Sequence, residues 1–304
     1  MACPSEPEEA SGPGVAGRPR PFGNVLAGVD GGPGGRDAIA LARVLLAQGG
    51  RLTLAHVSRP GLGLLQSGQI AAAELENARL LLAEERAVAG VQAELLSTSS
   101  SSVAGGLHAL AERLDADLLV VGSSHRSLLG RVLAGNDARS ALDGAPCAVA
   151  VAPAGYAQEP RSIAAVGVGY DGSPESEAAL ALARAVAGAH GAKVHAREVV
   201  QTLSSAYVGF GGGAWGGELP SVLAAAREQM AQLAGVEGDA VLGVAGEELT
   251  ALSAEVDLLV VGSRGYGHVR GLILGSTSQH LLGHARCALL VLARGAGGSG
   301  SLST

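Results

Sequence analysis

A set of motifs that returns at nearly the same interval limits this chain to two copies of one fold. Gly28-Val29-Asp30-Gly31 recurs as Gly169-Tyr170-Asp171-Gly172, and Val103-Ala104-Gly105 as Val244-Ala245-Gly246, both 141 residues later. Asp117 to Ser123 (DLLVVGS) recurs unchanged at Asp257 to Ser263, and Cys147 recurs at Cys287, both 140 residues later. Self-similarity at a fixed period is the mark of a duplicated unit, and 304 residues suffice for two domains of ordinary size. The expected division is 22–153 for the first unit and 161–294 for the second, with 154–160 as linker. Residues 1–21, rich in Pro, Gly and Glu and without periodicity, read as a disordered leader, and 295–304 as a disordered tail.

Within each unit, short apolar runs alternate with helical patterns. In the first, strands are expected at 24–30, 51–57, 91–96, 117–122 and 147–152. Helices are expected at 38–48, 70–89 and 103–114, with a turn at 31–35 and a short helix ending near 144. In the second, a strand over 161–171 ends in an acid, and Ser173 is placed to cap a helix. Pro174 then occupies the first helical position, and Glu175 faces the positive end of the dipole. Strands follow at 193–199 and 239–244, helices at 218–234 and 247–254. Strands alternating with helices imply the α/β class, with a parallel sheet and right-handed crossovers.

The stretch 257–294 carries the chemistry. Leu258-Leu259-Val260-Val261 has the length and branching of a strand buried on both faces, and Gly262 ends it. A glycine-rich loop follows, and Gly275-Ser276-Thr277-Ser278 leads into helical signals at 279–283. Free amides at a helix start, with the dipole behind them, favour an anion. Gly262 and Gly265 lack a Cβ, which would let a phosphate approach the main chain and permit φ > 0; Gly275 does the same at the helix entrance. Ser276 and Ser278 add hydroxyls, while Arg264, His268 and Arg270 lend positive charge. No carboxylate lies between Gly262 and Arg294, so nothing nearby in sequence repels phosphate, holds Mg²⁺ or activates water. The alternative is a glycine-rich βα turn without a ligand.

Gly262, two residues, Gly265, nine residues and Gly275-Ser276 resemble the nucleotide signature of the universal stress protein family, G-x2-G-x9-G-[ST]. The resemblance covers both units. It implies two Rossmann-like open-sheet domains of the adenine nucleotide alpha hydrolase-like type, each a five-stranded parallel sheet of order 3-2-1-4-5. In that order a ligand binds at the carboxyl ends of strands 1 and 4, where the winding reverses. The resemblance makes Asp171, following Gly169, the acid on the adenosine portion of ATP. It makes Val199 the residue whose main chain meets the adenine edge. It also implies an ATP-binding stress or regulatory protein, with or without Mg²⁺, that binds and does not turn over. The resemblance further implies that the last strands pair domains, giving a homodimer or an intramolecular pseudo-dimer. An acid at 171 also suits an Asx turn, and the two roles are compatible.

The first unit departs from the signature. It keeps Asp30, Val57, Gly122 and Gly135, but His125 stands at the second glycine and Asn136-Asp137 follow Gly135. A Cβ at 125 hinders close approach. Two like charges 4 Å apart repel by about 4 kcal/mol at an effective dielectric near 20, which would set the Asp137 carboxylate against phosphate. One nucleotide per chain is the expectation.

A net charge of −7 argues against a nucleic-acid binder, for which a basic surface is expected. The absence of a signal core or a spanning apolar run, with three cysteines and no disulfide framework, points to a cytoplasmic protein off the membrane. Gly167 to Gly172 also fits G-x-G-x-x-G with Glu198 downstream, an NAD reading, but Tyr170-Asp171 belong to the strand and Leu26 stands at the place of Gly167 in the first unit. Cys147 and Cys287 read as packing residues. His280 and His284 lack a third ligand. Residues 201–217, with Tyr207, Phe210 and Trp215 among glycines, read as a flap over the base or a partner contact, against a disordered insertion. The alternative activity, a slow ATPase or nucleotidyl transferase, lacks Gly-Lys-[Ser/Thr], metal-binding acids and a general base.

Overall fold

The computed structural model describes residues 21–59, 68–123, 130–132, 135–159, 162–201, 219–263 and 275–292. The first half runs β1 (Phe22–Gly28), α1 (Pro33–Leu45), β2 (Leu46–Ser58), α2 (Gly68–Ala89) and β3 (Glu94–Ser99). It continues through α3 (Val103–Arg113), β4 (Leu118–Gly122), α4 (Asn136–Leu142) and β5 (Ala148–Ala152). The second half repeats the series as β6 (Ala165–Tyr170), α5 (Pro174–His190), β7 (Lys193–Gln201), α6 (Leu219–Ala231) and β8 (Glu237–Gly243). It ends with α7 (Ala245–Leu252), β9 (Leu258–Gly262), α8 (Ser276–His284) and β10 (Ala288–Leu292).

The strands form one ten-stranded sheet of order β3-β2-β1-β4-β5-β10-β9-β6-β7-β8. Each half has the order 3-2-1-4-5 with every internal pairing parallel. The seam is antiparallel: Leu289 pairs with Val151, Leu290 with Ala150 and Val291 with Val149. Every residue of β5 and β10 is buried. Strands with nothing but small and branched apolar side chains suit a sheet covered on both faces. Two apolar layers cover it, one under α1, α2, α5 and α6 and one under α3, α4, α7 and α8, and each runs across the seam. The halves therefore share a core, an internal pairing that uses up one edge strand of each.

A repeated aspartate fixes the start of the central strands. The Asp117 carboxylate accepts from Gly23 N–H at 2.8 Å and Asn24 N–H at 3.1 Å; Asp257 accepts from Ala164 N–H at 2.8 Å and Ala165 N–H at 3.0 Å. The stretch after β5 is not a slack tether. Asp37, on α1 and only 3% exposed, accepts from Gly155 N–H and Ala157 N–H, each at 2.8 Å. Burial raises its pKa, against the pull of those two amides.

Several boundaries differ from the sequence reading. Helix α1 starts at Pro33, inside the expected turn, because proline at the first helical position needs no N–H there. It ends at Leu45, and β2 begins at once, with a register break between Phe22 and Asn24 on its partner. Edge strand β3 lies three residues later than expected. Its Ser and Thr side chains are partly exposed and carry no apolar alternation.

Candidate functional site

Strand β6 has β7 on one side and β9 on the other, so the connections leave in opposite directions and a crevice opens at the carboxyl ends. That cleft, with about 670 Å³ of unfilled space, is lined by Gly169, Asp171, Val199, Gly262 and all of Gly275 to Ser278. Residues from five places in the sequence meet there. Arg264 and Gly265, also named from sequence, lie outside the described residues, as do His268, Arg270 and the 202–218 stretch.

Local chemistry shapes each wall. At α5, Ser173 Oγ accepts from Ser176 N–H at 3.2 Å, the cap expected from sequence, and Gly191 closes the helix in the left-handed region at φ 70°. Asp171 makes the Asx turn: its Oδ1 accepts from Ser173 N–H at 3.1 Å and from Ser173 Oγ at 2.5 Å. The turn leaves the acid exposed at the mouth of the cleft. At α8 the first intrahelical bond is Gln279 N–H to Gly275 O at 2.9 Å. The amides of Ser276, Thr277 and Ser278 precede it, and Gly275 supplies no side-chain cap. Ser278 is buried, while Ser276 is exposed.

Two sequence arguments need correction. Gly262 is not among the described residues with positive φ, and Gly275 has φ −74° and ψ 165°, which any residue adopts. What Gly262 accommodates is protein: a Cβ there would lie 2.8 Å from Glu175 O and 2.9 Å from Glu175 C. The glycine lets the start of α5 press against the end of β9. The same contact overturns the statement that no carboxylate is near the phosphate end, since Glu175 and Asp171 both line the cleft. They come from a stretch about 90 residues earlier, which local sequence could not reveal.

The glycines of the NAD reading are structural. Gly167 and Gly169 lie within β6, where added Cβ atoms would sit 3.0 Å from Val256 Cγ2 and 2.8 Å from Leu249 Cδ1. They let α7 and its flanking turn close on the sheet, and no phosphate-binding turn is formed. Behind the cleft, the Tyr170 hydroxyl donates to Glu177 Oε1, and that bond with burial pushes its pKa up to about 12. The Glu198 carboxylate is pushed up by burial and by Asp171, and its buried Oε2 has no partner among the described residues. Burial pushes the Cys147 thiol up to about 12 and the Cys287 thiol further, so neither is a ready nucleophile. His280 and His284 stack at 4.2 Å, and no group of three or more metal-binding side chains occurs among the described residues.

The first half repeats the cleft, with Gly28, Asp30, Val57 and Gly122 in its walls. Asp30 Oδ1 accepts from Gly32 N–H at 2.9 Å, the counterpart of the Asp171 turn. Gly135 caps α4 without a side-chain bond, as Gly275 caps α8. The side chains of Asn136 and Asp137, and all of His125, lie outside the described residues. Sequence reading overlooked the α1 start: Gly34 stands where the second half has Glu175, so this copy lacks that acid.

A family model described as the universal stress protein family matches residues 21–153 and again 163–293. The chain belongs to the universal stress protein family. It holds two copies of the universal stress fold in tandem. A universal stress protein of Mycobacterium tuberculosis is 35% identical over 196 residues, 58% of this chain and 62% of the relative. The match thus spans under two thirds of that protein's length. A universal stress protein of Thermus aquaticus is 37% identical over 132 residues, 40% of this chain and 93% of its own. Among solved structures, a universal stress protein from Archaeoglobus fulgidus aligns with TM-score 0.63 over 90% of this chain and 99% of its own, at 18% identity. That likeness speaks for the fold. No described helix is long and apolar enough to cross a membrane.

Proposed function

We propose that this universal stress protein binds an adenine nucleotide, ATP, in the cleft of its second half and holds it without turnover. Occupancy would serve as a regulatory signal in the cytoplasm. The observation that carries the reading is the convergence of Asp171, Val199, Gly262 and the open amides of Ser276 to Ser278 at the reversal point of the sheet. Amides and hydroxyls at 275–278 suit phosphate oxygens, Asp171 suits ribose hydroxyls, and the main chain at Val199 suits a base edge. Arg264 and Gly265 belong to the same proposed phosphate site.

Mg²⁺, where present, would arrive on the triphosphate, since among the described residues the cleft offers Asp171 and Glu175 and no group of three or more metal-binding side chains. Those two carboxylates are what favours the second reading, a slow ATPase. Asp171 is committed to its turn with Ser173, which argues against its use as a base. The binding-only role is tested by denaturing the purified protein, identifying released nucleotide by chromatography, and following phosphate release. Bound ATP with phosphate release slower than about one per minute supports storage; faster release makes the protein an enzyme.

A further inference from the structure

One cross-strand pair at the cleft wall changes from apolar to charged between the halves. In the first half, Ala55 on β2 is in register with Leu96 on β3. In the second, the same register position is Arg197 on β7 opposite Asp239 on β8. Ala55 lines the first cleft and Arg197 lines the second. The sister half shows that the fold is satisfied by two apolar side chains at this place. An ion pair there carries a desolvation cost that the apolar pair avoids, the more so since the Arg197 side chain is only 13% exposed. A fold-neutral position that retains a costly polar pair at a cleft wall calls for a ligand.

The guanidinium is held in a fixed pose. Nε donates to both Asp239 oxygens at 3.1 Å, Nη2 donates to Oδ2 at 2.9 Å, and Nη1 reaches Glu248 O at 3.4 Å. Three of the five N–H donors are used in this way. The remaining two have no acceptor among the described residues. One is on Nη1 and one on Nη2, in the plane of a guanidinium whose charge Asp239 already balances, and Arg197 lies on the same face of β7 as Val199 and Gln201. A neutral group with two adjacent acceptors meets that pair better than another anion would, given Asp171 and Glu175 in the same cleft. Among purines, the 6-oxopurines present such an edge, O6 beside N7, whereas adenine sets its N6 amino donor beside N7.

We infer that Arg197, fixed by Asp239, is a base-selecting residue that lets the second-half cleft accept 6-oxopurine nucleotides, GTP and ITP, alongside ATP. The inference rests on the nucleotide reading above and concerns which base that site takes. The first half, with Ala55 and Leu96, has no such determinant at this position.

Calorimetric titration of the full chain with ATP, GTP, ITP and UTP tests it. GTP and ITP should bind within about tenfold of ATP, and UTP more weakly. Three variants follow: Arg197→Ala; Arg197→Ala with Asp239→Leu, which copies the sister half; and Arg197→Lys, which keeps the charge and loses the fork. Each should lower the GTP-to-ATP affinity ratio by about fivefold to 100-fold, the worth of a bidentate base contact. A purely structural role would weaken all nucleotides together and leave the ratio unchanged. An unchanged ratio, or a wild-type protein that disfavours GTP by more than about 100-fold, overturns the inference and leaves nucleotide binding standing. Absence of binding by every nucleotide overturns both. Melting curves confirm folding, and the paired apolar variant serves if Arg197→Ala alone does not fold.

Discussion

Replacing Gly262 by alanine separates two accounts of why that glycine is present. If it exists to admit a phosphate, Gly262→Ala should lose nucleotide and keep its stability. The geometry says otherwise: the new methyl would lie 2.8 Å from Glu175 O and 2.9 Å from both Glu175 C and Cβ. Two of those atoms are backbone, in the first turn of α5, and cannot rotate away. Overpacking of this kind costs about 1–3 kcal/mol, and the alanine returns roughly 0.5–1 kcal/mol by restricting the unfolded chain. A net loss of about 1–2 kcal/mol, at roughly 2–4 °C per kcal/mol, should appear as a melting point lower by about 2–8 °C. Gly122→Ala is the internal comparison, since its Cβ would come within 2.0 Å of Gly34 O and should cost more. Gly188→Ala, in α5 with nothing within 4 Å of the added methyl, should stabilise by about 0.5–1 kcal/mol. Thermal unfolding followed by circular dichroism measures all three. A Gly262→Ala protein that melts with wild type, beside a destabilised Gly122→Ala, would refute the packing argument.

Asp37→Ala should leave the amides of Gly155 and Ala157 unsatisfied, at about 1–3 kcal/mol each, and expose 154–159 to limited proteolysis. Burial raises the folded pKa of Asp37, and of Asp117, so the folded state holds extra protons just above pH 3.8. The contribution of each to stability is greatest below that pH and declines as pH rises through the folded pKa; Asp37→Asn should flatten this part of a urea-midpoint profile. Ser173→Ala removes the α5 cap and a support of Asp171, and should cost about 1 kcal/mol with a several-fold loss of nucleotide affinity by titration. Glu198→Gln should raise the melting point at pH 7 and leave it unchanged near pH 4, because ionised Glu198 is the disfavoured form in the fold.

The duplication, the α/β class and the α5 cap were legible because they rest on local pattern: a repeated DLLVVGS, buried apolar runs, Ser173-Pro174 at a helix start. The sheet order came through the family resemblance, and the structure has the same order in both halves. Edge strand β3 was misplaced because a strand half open to water need not alternate. Side-chain partners across strands were out of reach. Arg197 with Asp239, and Glu175 beside Gly262, are set by register and helix docking, which no single stretch encodes. Comparing the halves position by position would have flagged some of this. Asp37 has Ala178 as its counterpart and Gly34 has Glu175, whereas Ala55 is matched to Arg197 only by strand register. Each marks a place where one copy carries a charged side chain that the other lacks.

The most direct test of the central claim is equilibrium binding of labelled ATP to three full-length proteins. These are the wild type, Gly275→Val with Ser276→Ala in the second half, and Gly135→Val in the first. One site per chain, lost in the second-half variant and kept in the first-half variant, is the predicted result. Two equal sites, or binding that survives Gly275→Val with Ser276→Ala and vanishes with Gly135→Val, would contradict the account.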